Sequence, residues 1–199
     1  MDENDLNSQY TLREAIHTAR FLNIFRRYCE HVTMANYSPI VNVRGAVYVH
    51  PDGLVLRPSY HVFDLYTNHG GEVSLETQVQ CETYDAKRAV LRYGSPIEVK
   101  DIPYVDASAT LSEVDGKLFL SAANLNKDED IECQVKISNI DVSREATFYE
   151  LNGPDVLAYN DVKHPDNVRI LPKRTLKTGR EFSYVLPAHS VTVAEIGSK

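Results

Sequence analysis

The sequence predicts an α+β composite: a helix, a strand and a helix, followed by an antiparallel β-sandwich of jelly-roll type. Three observations predict it. Apolar residues recur at helical spacing over Leu12 to Cys29, and bulky ones follow Pro58. From Glu72 onward the apolar period changes to two. Turn signals such as Asp115-Gly116 then punctuate a series of short apolar runs.

Met1 to Tyr10 is polar and reads as a loop. Thr11 with Glu14 three residues later makes a capping-box pattern. Leu12, Ile16, Ala19, Leu22 and Cys29 form the helical stripe, widened by Ala15, Phe25 and Tyr28. Glu14, Arg20, Arg26 and Arg27 fall largely outside it, and His17 reads as a surface residue. A short apolar run, Val32 to Ala35, follows with almost no linker and predicts a strand over Val32 to Asn36. Asn36, Tyr37 and Ser38 come next and are ended by Pro39, which fixes its own φ and biases Ser38 away from helix. A polar loop at a strand end beside a helix is where α/β enzymes place a site mouth, so these three are the candidate substrate-binding residues. Ile40 to His50 is apolar and β-branched but broken by Arg44 and Gly45, and Pro51-Asp-Gly53 is a turn signal. Pro58 suits the first turn of a second helix that Gly70-Gly71 stops.

Beyond Gly71, Val73, Leu75, Val79 and Cys81 alternate with polar residues as a half-buried strand. Tyr104 to Val114 and Lys117 to Leu125 predict a hairpin about Asp115-Gly116. Ile131 to Ile137, Ala146 to Leu151, Phe182 to Leu186 and Val191 to Ile196 predict further strands. Asp161 to Arg180 is polar, holds Pro165 and Pro172, and reads as a long loop. The division is residues 1–70 and 71–199.

Composition sets limits. A chain of 199 residues can bury a sizeable core. A net charge of −7 argues against nucleic acid or an anionic membrane, since little here would neutralise phosphates. No apolar run approaches the ~18 residues of a membrane span. The acidic start has no apolar core, so the expected compartment is the cytoplasm. Cys29, Cys81 and Cys133 are odd in number and lack a Cys-x-x-Cys pair, which predicts buried free thiols.

Chemistry-bearing clusters are sparse. The histidines form no His-x-His or His-x-x-x-His pair, so no metal site is expected, and no phosphate loop signals a cofactor. Glu76 and Glu82 lie on the polar face of a strand, and Asp128 to Asp130 on a turn. Ser190 beside His189 lacks a nucleophile elbow. Tyrosines belong mostly to sandwich packing, Tyr37 excepted. No residue is assigned a catalytic role.

One strand with two helices cannot complete a sheet, because its ladder groups stay unpaired. A full (β/α)8 barrel needs about 250 residues. The missing strands are therefore expected from an upstream part of a larger enzyme, a partner chain, or a rearranged docking on the sandwich.

Several runs resemble the C-terminal end of the family 51 α-L-arabinofuranosidases. They are the helix Leu12 to Tyr28, Val32-Thr-Met-Ala-Asn-Tyr37 leading to Ile40-Val-Asn-Val43, Pro58-Ser-Tyr-His-Val-Phe-Asp-Leu-Tyr66, and Val99 to Ala109. The resemblance spans essentially the whole chain. It implies the final helix–strand–helix of a (β/α)8 barrel followed by a jelly-roll-like sandwich. It also implies retaining hydrolysis of terminal arabinofuranosyl groups in arabinose-containing oligosaccharides. Retaining enzymes use two carboxyl groups about 5–5.5 Å apart. In the family these are glutamates on earlier barrel strands, without counterparts here. Where some members carry a substrate-binding glutamine, this chain has Pro39.

Three functions follow. The chain is a portion of an arabinofuranosidase inactive alone, a non-catalytic carbohydrate-binding or structural module, or a subunit completing a barrel with a partner. Expected partners are the oligosaccharide, bound through the complete enzyme, and either the missing barrel half or further copies of the chain.

Overall fold

A computed structural model describes residues 6–88 and 97–198. After a 3-10 turn, Asn7–Gln9, the helix α1 runs over Leu12–Arg27. A hairpin of β1 (Val47–His50) and β2 (Gly53–Leu56) precedes α2 (Pro58–Asn68). The strands β3 (Val73–Leu75), β4 (Thr83–Arg88), β5 (Ile97–Pro103), β6 (Val105–Ser112), β7 (Lys117–Asn124) and β8 (Ile131–Lys136) follow. The chain ends with β9 (Val142–Asn152), β10 (Arg169–Ile170), β11 (Arg174–Lys177), β12 (Glu181–Leu186) and β13 (Val191–Ser198).

Seven strands form the main sheet in the order β10-β9-β13-β7-β6-β3, with β11 also on β9. Every pairing between named strands is antiparallel. The two faces of this sheet have different covers. Ala123, Val191, Val193 and Leu151 point to the helices, where Leu12, Ile16, Val62 and Leu65 meet them in one core. Residues of opposite parity, Val105, Leu118, Phe148 and Ile196, meet Tyr184 and Leu186 of the β8–β12 pair. The result is helices, sheet and sheet in layers, a sandwich with a helical cover on one side.

The expected β6–β7 hairpin forms about Asp115-Gly116, with Gly116 at φ 58°. There a left-handed conformation favours glycine. The predicted strands at β8, β9, β12 and β13 also form.

Several expectations fail. Val32–Asn36 is not a strand: it is irregular and joins no ladder among the described residues. Of the apolar run Ile40 to His50, only Val47–His50 is strand, and it pairs with an unforeseen strand across Pro51-Asp52. The alternation after Glu72 yields strand only to Leu75. The polar stretch Asp161 to Arg180 contains β10 and β11, which pair with β9. The capping box does not form, because Thr11 makes no side-chain cap. Instead Leu12 and Arg13 donate their amides to the Ala158 and Val156 carbonyls. Cys81 and Cys133 are partly buried, but Cys29 is exposed.

Candidate functional site

Two polar seams fix α1 to the sheet, and neither was visible as helical periodicity. Asn23 is fully buried. Its Oδ1 accepts from the Tyr66 and Ser108 hydroxyls, each at 2.8 Å, and its Nδ2 donates to the Asp106 carbonyl. Burial pushes the Tyr66 phenol well above its usual range, so it stays protonated and donates. Arg27 pairs with Asp106 at 2.9 Å, while Arg26 reaches Ser121 Oγ and the Tyr66 carbonyl. Both arginines, read from sequence as lying off the packed stripe, bury their stems and bind the sheet with their heads.

Past α1, Thr33 to Asn36 join no ladder among the described residues. His31 and Val32 close a turn onto the Tyr28 carbonyl. The following segment leaves Met34 74%, Ile40 65% and Val43 66% exposed. The predicted trio separates here. Asn36 and Ser38 are exposed, and so is Pro39, which follows a cis peptide. Tyr37 alone is half-buried. Its ring meets Phe63 of α2 edge-on at 5.5 Å. Its hydroxyl donates to the Arg44 carbonyl at 3.3 Å and accepts from Ser59 Oγ at 3.4 Å.

The loop that presents Arg44 is tightly specified. Val47 donates to the Ile40 carbonyl, Asn42 to the Val47 carbonyl, and Asn42 Oδ1 accepts from the Val49 amide at 2.7 Å. Asn42 and Val43 have φ of 54° and 44°. For a β-branched residue that conformation costs on the order of 1–3 kcal/mol and persists only where surroundings enforce it. Gly45 is required for space, since a Cβ there would lie 2.4 Å from the Ile40 carbonyl oxygen.

Arg57 lies beneath this loop, 1% exposed. Its Nη1 donates to the carbonyls of Val43 (3.0 Å) and Gly45 (2.7 Å), and its Nε to Asn7 Oδ1 (2.8 Å). The guanidinium also stacks 3.9 Å over the Tyr10 ring. Sequence reasoning missed it: an arginine before a proline reads as a surface residue, and no periodicity marks the loop it supports.

The Glu195 carboxylate does not resemble a glycosidase acid. Burial would raise the Glu195 carboxyl, but Lys117 at 2.6 Å and His69 at 3.3 Å outweigh it and hold it below the usual range. Glu195 lines a groove of about 760 Å³ with Glu145, Thr147, Thr175 and Lys177. Buried Glu150 is held by Arg174 at 2.9 Å. Among the described residues no group of three His, Cys, Asp or Glu side chains is arranged to hold a metal.

Fold and geometry define a class: a β-sandwich with a two-helix cover, carrying an exposed apolar segment beside a tightly held loop. The chain belongs to the α-L-arabinofuranosidase C-terminal domain family, whose model it matches over residues 2–190. It is 28% identical over 193 residues to the intracellular exo-α-L-arabinofuranosidase of Bacteroides ovatus, covering 96% of this chain and 35% of that protein. To a probable α-L-arabinofuranosidase C of Aspergillus clavatus it is 29% identical, covering 92% and 34%. The solved GH51 α-L-arabinofuranosidase of Thermotoga petrophila superposes with a TM-score of 0.87 at 32% identity, over 98% of this chain and 40% of that one. The chain thus spans about a third of the length of these curated relatives. No helix among the described residues is long and apolar enough to cross a membrane.

Proposed function

We propose that the chain is the C-terminal portion of an α-L-arabinofuranosidase that removes terminal arabinofuranosyl groups from arabinose-containing oligosaccharides with retention. In this reading residues 1–70 are the end of a (β/α)8 barrel and residues 71–199 its sandwich. The two catalytic glutamates belong to the part of the enzyme that this chain does not match, and no cofactor is needed. Asn36, Tyr37 and Ser38 lie at the sugar-binding mouth, and the compartment is the cytoplasm.

The observation that carries the reading is the family match across residues 2–190 combined with coverage of only 35% of the Bacteroides ovatus relative. The exposed Met34, Ile40, Val41 and Val43 support it, because such side chains in sequence mark a surface that meets another layer. The same exposure favours a second reading, a subunit that completes a barrel with a separately encoded chain.

Purified as 199 residues, the chain is expected to give no turnover of an aryl α-L-arabinofuranoside. Clear hydrolysis that tracks the pure protein would sink this proposal.

A further inference from the structure

We infer that Arg57 is a positioning residue for Tyr37, and that it fixes which hydrogen-bonding role the Tyr37 hydroxyl offers a ligand. The chain of contacts is short. Arg57 Nη1 holds the carbonyls on both sides of Arg44, those of Val43 and Gly45. Its own amide donates to the Ala46 carbonyl at 2.9 Å, so three of four consecutive carbonyls are pinned by one residue. The remaining carbonyl, that of Arg44, takes the Tyr37 hydroxyl proton.

A phenol has one proton to donate and lone pairs to accept with. With the proton committed to Arg44 and Ser59 Oγ on one lone pair, what Tyr37 has left is acceptor capacity. It therefore receives a hydrogen bond from a ligand hydroxyl rather than giving one. A sugar hydroxyl is such a donor, and in that respect the inference rests on the proposed function. The left-handed Asn42 and Val43 fit the same picture, since a strained loop keeps its shape only when held from outside. Arg57 can do this because its planar fork binds several carbonyls at once while its face packs on Tyr10. A lysine has the charge but neither the fork nor the stacking plane.

The test needs no sugar, so its failure is distinct from failure of the proposed activity. The full 199-residue chain is labelled with 3-fluorotyrosine, and the Tyr37 fluorine line is identified by its loss in Tyr37→Phe. Arg57→Met and Arg57→Lys are expected to move that line toward free 3-fluorotyrosine and to speed amide exchange at Asn42 to Ala46 by at least about tenfold. Val62→Ala, a core truncation in α2, is expected to lower the melting temperature while leaving the line in place. Should Arg57→Met fail to fold, Arg57→Lys, which keeps the charge, carries the comparison. An unmoved Tyr37 line in a folded Arg57→Lys chain overturns the inference, and so does an equal displacement in Val62→Ala.

Discussion

The helix α1 and the segment that follows it are both rich in apolar residues, yet the structure treats them oppositely. Leu12, Ala15 and Ala19 of α1 are fully buried against the sheet. Seven residues beyond the helix end, Met34 is 74% exposed, and the loop after it exposes Ile40, Val41 and Val43. The difference lies in what each finds opposite it. The helix meets a sheet face and α2 of this same chain, with Asn23, Arg26 and Arg27 matched to Tyr66 of α2 and to Ser108, Ser121 and Asp106 of the sheet. Within the segment Tyr37 packs on α2, but Met34, Ile40, Val41 and Val43 stay exposed. Apolar pattern records the need for a partner, and only topology shows whether this chain supplies one.

Stability should follow the same division. Leu65, 1% exposed between α2 and the sheet, is expected to cost about 2–5 kcal/mol when cut to alanine. Met34→Ser is expected to change stability by less than about 0.5 kcal/mol. Urea unfolding of both variants checks the contrast, and comparable losses would break it. Asn23→Ala comes next, at about 1–3 kcal/mol, because it strands the Ser108 hydroxyl inside the core and leaves the Tyr66 hydroxyl only the longer contact to the Ala19 carbonyl at 3.4 Å. A loss near zero would mean that the polar seam is decoration on an apolar interface.

A smaller effect is set by pH at the far end of α2. Glu195 is held low by Lys117 and His69 against the opposing effect of burial. Its folded value lies below the unfolded one, so its stabilisation is complete above the ordinary glutamate range near about pH 4.3. That contribution fades as pH falls through the lower folded value. Glu195→Gln should therefore flatten part of the acid limb of a pH–stability curve. An unchanged limb would remove Glu195 from the contacts that matter between α2 and the sheet.

What the sequence could tell divides along similar lines. The β6–β7 hairpin was legible because Asp115-Gly116 reports its own backbone geometry. β11 was not, since Arg174-Thr-Leu-Lys177 is exposed throughout and is strand only by pairing with β9. Val32–Asn36 misled for the opposite reason: its composition suits a strand, but nothing described here pairs with it. At the candidate site, Tyr37 stands out in the sequence as a proposed contact, two residues before Pro39. Asn42 and Arg57 could not, because their importance comes from carbonyls and amides distant in pattern. Arg26 and Arg27 were misplaced because burial of a long charged side chain leaves no periodic signature.

Residue-resolved amide hydrogen exchange on the isolated 199-residue chain tests the central claim most directly. The amides of Thr33 to Asn36 are expected to exchange at nearly unprotected rates while those of β7 and β13 are protected to the limit of global unfolding. Protection at Thr33 to Asn36 equal to that of β7 would show that the segment already has its strand partners within this chain, and would contradict the account.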